Sequence, residues 1–153
     1  MSRWTKVIAI AAFAAVFPGV AAAQHGHTFA TAKDLKWGDT PSLPGAKVAV
    51  VEGPMNEEKP FILRIKFPAN YRIAPHFHSS IEHVTVINGE FFMGMGEKFD
   101  KDKGQGLKPG DIAIMQPKTP HYAYTTKETE VQVHGMGPWT LTFVNPADDP
   151  RKK

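Results

Sequence analysis

The chain has 153 residues, of which 18 are Lys or Arg and 15 are Asp or Glu, and it contains no cysteine. This length predicts a single domain, and the lack of cysteine excludes disulfides, thiolate metal sites, iron–sulfur clusters and cysteine nucleophiles. Without Arg3 and Lys6, which lie in a segment that we expect to be removed, 16 basic side chains face 15 acidic ones, and a net charge of +1 argues against nucleic acid or a membrane surface as a partner.

The first 23 residues have the three parts of a secretory signal peptide. Arg3 and Lys6 give a positive start, residues 7–17 form an unbroken apolar run of 11, and residues 20–23 supply the small side chains of a cleavage site. A run of 11 is too short to span a membrane, which takes about 20 apolar residues. We therefore expect cleavage after Ala23 and a secreted protein with no membrane attachment, which is periplasmic if the host is a Gram-negative bacterium.

The two ends of the mature chain show little pattern. Residues 24–44 are expected to form a flexible N-terminal segment, and residues 147–153 a solvated polar tail. His25 and His27 lie at the start of the first segment, where a cleaved N-terminus with a nearby histidine can chelate copper or nickel. The simpler interpretation is a frayed tail, and the roles of these two histidines stay open.

Residues 45–146 show the pattern of short strands separated by turns. Apolar side chains alternate with others along residues 61–67, as in a strand with one buried face. Asn88 and Gly89 follow the run 81–87 and are typical of a β-hairpin turn into residues 90–95. The other predicted strands are 47–51, 111–115, 122–125, 129–134 and 139–144. Many short strands with no sustained helical period predict an all-β sandwich or barrel.

Four side chains in this region have metal-binding chemistry. His76, His78 and Glu82 are spaced by even numbers, so one regular strand would present all three on the same face. Imidazoles and a carboxylate are good ligands for first-row divalent metals. His121 begins a later predicted strand, and a closed sheet can bring it across the cavity to the other three. A His-x-His pair alone is often a solvated surface feature, so the in-phase glutamate and the later histidine carry the prediction.

The first half of this pattern resembles the cupins, a family of small double-stranded β-helix, or jelly-roll, barrels. Their first motif, G-x5-H-x-H-x3/4-E-x6-G, is matched from Asn70 through His76, His78 and Glu82 to Gly89. Only the leading glycine differs, and asparagine is the next best residue for a positive φ angle.

The second cupin motif, G-x5-P-x-G-x2-H-x3-N, is matched in part. Gly110 and His121 keep the family's separation of 11 residues. Gln116 stands at the position of the proline, Lys118 at the inner glycine and Thr125 at the asparagine. These departures concern the shape of the loop before His121 rather than the histidine itself.

The resemblance implies an all-β double-stranded β-helix over residues 45–146, with a metal held inside by His76, His78, Glu82 and His121. In such families the ion is manganese, iron, nickel, copper or zinc, and the ligand set alone does not choose between them. A four-ligand shell leaves one or two positions for water or a substrate. Cupin barrels also often pair through exposed edge strands, so a homodimer is expected.

Two functions from different classes are consistent with this resemblance. One is an exported metalloenzyme that oxidises a small organic molecule with dioxygen, by analogy with the dioxygenases and oxidases of the family. The other is a non-catalytic module that binds a metal or a small ligand, since the sequence offers no clear acid or base besides the ligands. A metal-free structural barrel is a third possibility. Fold alone does not decide between them.

Other side chains are candidates for the pocket around the ligands. Tyr122 and Tyr124 follow His121 and would place a hydroxyl near the metal. His134 lies on one face of its predicted strand, and Phe92 on another. His83 is out of phase with Glu82 and is expected to point away, the alternative being that it replaces Glu82 as a ligand. Further aromatic and methionine candidates are Phe77, Met93, Met95, Met115 and Trp139.

Overall fold

Eleven strands and four single turns of 3-10 helix form the regular structure of residues 28–153, the part of the chain described by this computed structural model. The predicted leader, His25 and His27 lie outside the described residues. The strands are β1 Gly38–Asp39, β2 Lys47–Glu52, β3 Pro60–Phe67, β4 Arg72–His78, β5 Glu82–Asn88, β6 Phe91–Met95, β7 Gln105–Leu107, β8 Ile112–Met115, β9 His121–Thr125, β10 Thr129–Met136 and β11 Leu141–Phe143. Single turns of 3-10 helix cover Ala32–Asp34, Lys101–Lys103, Pro146–Asp148 and Pro150–Lys152. Within residues 28–153, no helix has the length and apolar character to cross a membrane.

Two antiparallel sheets face each other across one core. The first sheet has the strand order β1-β2-β3-β10-β5-β8 and the second the order β11-β4-β9-β6-β7. Their inner faces supply the members of a single apolar cluster, which include Leu63 and Val133 from the first sheet and Ile73 and Met93 from the second. Burial of apolar surface stabilises such a core by roughly 25 cal/mol per Å². The all-β, jelly-roll prediction is confirmed.

The eight strands of the predicted series agree with the observed ones to within two residues at each end, and β4 was expected only as part of a strand that continues to Glu82. β3 shows the reason, since Phe61, Leu63, Ile65 and Phe67 are buried while the residues between them are partly exposed. Two short strands were not predicted. β1 and β7 have two and three residues, too few to show an alternating pattern.

The turn at Asn88 and Gly89 does not form the predicted hairpin. Gly89 has a φ of 86°, as the turn signal implies, but β5 and β6 lie in different sheets. β5 already has β10 on one side and β8 on the other, so no edge is open for β6. The turn instead carries the chain from one sheet to the other.

Both ends of the described chain are more ordered than expected. Leu43, inside the segment predicted to be flexible, is only 8% exposed and belongs to the core cluster. Asp149, inside the predicted polar tail, is buried and accepts hydrogen bonds from Arg151 at 2.8 and 2.9 Å. Arg151 also donates to the Leu141 carbonyl at 3.0 Å, which fastens this end of the chain to β11.

The outer edge of the first sheet carries apolar side chains. Ile112 and Ile114 of β8 are 50% and 51% exposed, and no strand of residues 28–153 pairs with the other side of β8. Unpaired edges of this kind can pair with another chain. The homodimer stays a prediction.

We predict that Gly94→Ala destabilises the protein by about 1–3 kcal/mol, the usual cost of overpacking a filled space. Gly94 of β6 lies opposite Tyr122 of β9, and a Cβ atom at Gly94 would lie 2.1 Å from the Tyr122 ring. Urea unfolding of both proteins measures the change. Gly38→Ala is the matched control, because no atom lies within 4 Å of a Cβ there. Equal losses of stability in the two variants would contradict the prediction.

Candidate metal centre

A bulge in β4 turns its two histidines toward the interior. Ile73 and His76 are both buried although an odd number of positions separates them. The pairing of β4 with β9 shifts register between these two residues. A bulge inserts one residue and moves the following side chains to the other face of the sheet. His76 and His78 therefore share the inner face with Ile73.

Glu82 reaches the cluster from a different strand than expected. β4 ends at His78, and a bend at Ser79 and Ser80 leads to β5 in the opposite sheet. The Ser80 hydroxyl donates to the Met136 carbonyl at 2.8 Å, which holds the corner in place. The expectation that one strand presents both histidines and the glutamate is wrong. Glu82 is nevertheless buried and faces inward, because it begins the inward series of β5.

His121 lies beside His76 rather than across the cavity. β9 pairs directly with β4, and these two histidines are partners in the register. The loop before His121 keeps its shape without the glycine of the family motif, since Lys118 takes a φ of 58°. The Lys118 amide donates to the His78 carbonyl at 2.8 Å, which ties this loop to β4.

The four predicted side chains converge at one point. The nearest ligand atoms of His76, His78 and His121 lie within 4.8 Å of one another, and all three rings are buried. Glu82 Oε2 lies 3.3 Å from His78 Nε2 and 3.5 Å from His121 Nε2. Ligands about 2.1 Å from one ion are about 3.0 Å apart in an octahedral site and about 3.4 Å apart in a tetrahedral one. The two separations between Glu82 and the histidine nitrogens are of that size.

Backbone carbonyls fix which nitrogen of each histidine carries the proton. The Nδ1 atoms contact the carbonyl oxygens of Ala74, Thr140 and Thr119, at 2.8 Å from His76, 2.8 Å from His78 and 2.9 Å from His121. A carbonyl only accepts, so each Nδ1 donates, and the neutral ring then has its lone pair on Nε2. The Nε2 atoms of His78 and His121 are buried with no hydrogen-bond partner. Donor orientation of this kind is typical of histidines that bind metals.

Burial and proximity shift the acid–base behaviour of the cluster. Burial, reinforced by His121 and His78, lowers the pKa of His76 from 6.5 to about 3. Burial alone would raise the pKa of the Glu82 carboxyl, but His121 and His78 beside it hold that pKa well below its usual value. At neutral pH the site therefore has a neutral His76 and an ionised Glu82, which are the forms that bind metals.

The space around the cluster is small and apolar. It has a volume of about 40 Å³, and a single water needs about 10–15 Å³. Its polar lining side chains are the four of the cluster and Trp139, whose indole carries one N–H. Among the pocket candidates, Met93 and Trp139 line this cavity. The remaining lining residues are Leu43, Ile65, Phe67, Ile73, Val84, Phe91, Ala123, Val131, Val133 and Leu141.

The two tyrosines of β9 do not line this cavity, which corrects the expectation from the sequence. Their hydroxyls donate to the carbonyls of Asp100 and Lys101, at 2.6 Å from Tyr122 and 2.9 Å from Tyr124, on the face of β9 away from the cluster. Phe92 lies on that same side and stacks on Tyr124, with ring centroids 4.7 Å apart. Successive side chains of β9 point to opposite faces, so His121 points to the inside of the barrel and Tyr122 to the outside. Both faces of the strand are covered.

His83 and His134 also lie away from the cluster. They are partners in the pairing of β5 with β10, and their rings stack with centroids 4.8 Å apart and planes 10° from parallel. This pair sits on the outer face of the first sheet, since Glu82 and Val133 beside it face inward. His83 therefore does not replace Glu82, and His134 does not contact the cavity. Burial and the neighbouring His83 lower the pKa of His134.

Two contributions to the site, from Leu43 and Thr140, could not be predicted from the sequence. Leu43 lines the cavity from the N-terminal segment, where a single leucine between polar and proline residues gives no pattern. Thr140 orients His78 through its carbonyl, and a backbone contact has no signature in residue type.

The Trp139 ring stacks on His78 with centroids 4.3 Å apart and planes 12° from parallel.

Two facing antiparallel sheets that enclose three histidines and a glutamate define a class of barrel with an internal ligand cluster. Chains of known structure with a similar fold include an RmlC-like cupin from Shewanella frigidimarina, with 15% identity, a TM-score of 0.57 and coverage of 80% of this chain and 96% of that one. The polyketide cyclase RemF from Streptomyces resistomycificus gives 16% identity, a TM-score of 0.66 and coverage of 83% and 92%. A candidate acetylacetone dioxygenase from Methylibium petroleiphilum gives 17% identity, a TM-score of 0.61 and coverage of 82% and 85%.

The chain thus has the cupin fold, as its motifs implied. Identities this low establish the fold and leave the activity to be argued from the site. No protein-family model matches the sequence, and a search of curated proteins found no significant match.

We predict that the metal-free protein loses stability as the pH falls from 6.5 toward 4.5. His76 has a pKa near 3 when folded and 6.5 when unfolded, so the unfolded chain binds about one more proton in this window. The free energy of unfolding then falls by up to about 1.4 kcal/mol per pH unit. The lowered pKa of Glu82 acts in the same direction, but only below its ordinary value of 4.5.

Urea unfolding in the presence of a chelator, at pH 6.5 and 4.5, measures this dependence. His76→Gln should flatten it. His134→Gln is the control, and should flatten it less because the His134 ring is partly exposed. Parallel pH profiles for the wild type and His76→Gln would contradict the prediction.

Proposed function

We propose that this protein is a cupin metalloprotein that binds one divalent transition metal through His76, His78, His121 and Glu82. The observation that supports it most directly is the contact between Glu82 and two histidine nitrogens. With Nδ1 donating to a carbonyl, the Nε2 of His78 presents a lone pair to a carboxylate oxygen at 3.3 Å. Two lone pairs at this distance repel unless a proton or a metal cation lies between them. A divalent metal removes the repulsion and satisfies both atoms.

The donor set fits such an ion chemically. Three imidazoles and one carboxylate suit manganese, iron, nickel, copper or zinc, and the set does not choose between them. The ion would carry a net charge of +1 together with Glu82. Because the other walls are apolar, no further protein group competes for the remaining coordination positions.

We further propose that the site serves a small-molecule oxidoreductase of the dioxygenase type. A bound metal supplies Lewis acidity and, for iron, copper or manganese, redox chemistry. The chain contributes the rest: carbonyls that orient the imidazoles, an anionic Glu82, and an apolar lining that excludes bulk water. The candidate acetylacetone dioxygenase among the structural neighbours is the analogy behind the reaction type.

A non-catalytic metal-binding module is the second candidate function. It is favoured by the lining of the cavity, which offers no acid or base besides the four ligands. Oxygen uptake by protein loaded with iron, manganese, nickel or copper, tested on a panel of small carbonyl compounds, separates the two. Uptake that His121→Ala abolishes supports the enzyme. Tight metal binding without uptake supports the module.

We predict that a chelator lowers the melting temperature of the metal-loaded protein and that His76→Ala removes this response. A ligand at 1,000 times its Kd stabilises the folded state by about 4 kcal/mol, and this stabilisation disappears when the ligand is removed. Calorimetry with and without chelator, together with elemental analysis, measures both effects. His134→Ala is the matched control and should keep one metal per chain. Equal metal content in His76→Ala and the wild type would contradict the assignment.

We also propose that residues 1–23 direct export and are removed. The support is the sequence pattern described above, since these residues lie outside the described structure. The mass of the mature protein recovered from the exporting cell should correspond to a chain that starts at Gln24. An intact N-terminus at Met1 would contradict it.

A further inference from the structure

The metal cluster lies behind an apolar wall that separates it from a larger space. An outer cleft of about 280 Å³ is lined by Thr40, Ser42, Val48, Met55 and Arg151, among others. Leu43, Ile65, Trp139 and Leu141 line both this cleft and the inner cavity. The inner cavity, at about 40 Å³, holds a few waters, whereas the outer cleft is close to the lower limit of about 300 Å³ for sites that take small molecules. Of these two spaces, the outer cleft is therefore the one that is large enough for an organic substrate.

Trp139 has the one polar atom of this shared wall that lacks a partner. Its indole Nε1 is buried and makes no hydrogen bond. A buried donor without an acceptor is unfavourable, and a bound water or ligand group that accepts from it would remove this cost. The backbone of Trp139 is held in place by a 2.7 Å hydrogen bond from its amide to the Met55 carbonyl. Its ring lies flat against His78, with centroids 4.3 Å apart, so the indole lies beside a ligand of the proposed metal.

The charges of the outer cleft indicate the kind of molecule that fits. Arg151 is its only charged lining residue, and Asp149 pairs with it through two hydrogen bonds of 2.8 and 2.9 Å. The pair has no net charge. The rest of the lining is apolar apart from the hydroxyls of Thr40, Ser42 and Thr140 and the indole N–H of Trp139. A neutral molecule with an apolar body suits this lining better than an anion.

We propose that the outer cleft binds a small neutral carbonyl compound and that the Trp139 indole N–H donates a hydrogen bond to its carbonyl oxygen. This proposal rests on the proposed metal site and names its substrate class. Leu43 lies in the segment between β1 and β2 rather than in a strand, and its displacement opens the wall so that the carbonyl reaches the buried Nε1 atom of Trp139 and the cluster. Trp139 is then the residue that distinguishes a carbonyl compound from a hydrocarbon of the same shape.

Acetophenone and ethylbenzene test this, because they share an apolar body and differ in the carbonyl. Their Kd values are measured by ligand-observed NMR on zinc-loaded wild type and Trp139→Phe, which keeps an aromatic ring and removes the N–H. We expect the wild type to prefer acetophenone by about tenfold, the value of one hydrogen bond to a buried donor, and the variant to show no preference. An equal preference in both proteins, or none in the wild type, overturns the proposal.

Leu43→Ala provides a second test that does not alter Trp139. We expect it to speed the entry of acetophenone and to keep the preference over ethylbenzene. An unchanged entry rate overturns the assigned path. Zinc content is measured on every protein. Failure of the wild type to hold zinc would refute the metal site itself, whereas one zinc per chain without carbonyl preference would refute only the role of Trp139.

Discussion

The Nδ1 atoms of three buried histidines each donate to a backbone carbonyl oxygen, and this constraint determines what the interior of the barrel can bind. In a neutral ring each carbonyl leaves the lone pair on Nε2, and the Nε2 atoms of His78 and His121 lie 3.3 and 3.5 Å from Glu82. The carboxylate and the lone pairs have the same electrostatic character, so the cluster favours a cation at its centre. The carbonyls belong to Ala74 of β4, to Thr119 just before β9 and to Thr140 just before β11. The path of the backbone therefore contributes to the site as much as the ligands do.

The identities of the ligands follow from the sequence, whereas their arrangement does not. The spacing of His76 and His78 predicts a shared face, and the structure has it. The bulge that turns this face inward depends on the pairing of β4 with β9, a contact between residues far apart in the chain. Glu82 keeps the expected phase for a different reason than supposed, because the bend at Ser79 and Ser80 resets the chain before β5 begins. Residues at even spacing share a face only within one continuous strand, and the corner between His78 and Glu82 interrupts that strand.

The alternation of apolar and polar residues also fails to show which face of a strand points inward when both faces are buried. Every residue of β9 is buried, so burial and hydrophobicity do not tell which face holds the site. The segment around Phe99, and the single turn of 3-10 helix after it, cover Tyr122 and Tyr124 and accept their hydroxyls. Local backbone geometry was more predictable. Asn70 takes a φ of 60°, as its place in the motif implied, and Lys118 takes the conformation of the glycine that it replaces. The motif specifies backbone shape at both positions, and side chains other than glycine tolerate it at some energetic cost.

The small size and apolar lining of the inner cavity affect both stability and chemistry. Burying a carboxylate among apolar side chains is costly unless a charge of opposite sign is near. His76 has a lowered pKa, so above about pH 3 it does not supply that charge in the folded protein. The same lining keeps bulk water from screening the interaction between Glu82 and a cation, which makes that interaction stronger than at a surface. An ion bound at this cluster would therefore stabilise the barrel, and in the arrangement that we propose Leu43 and Trp139 limit the access of a second molecule to it.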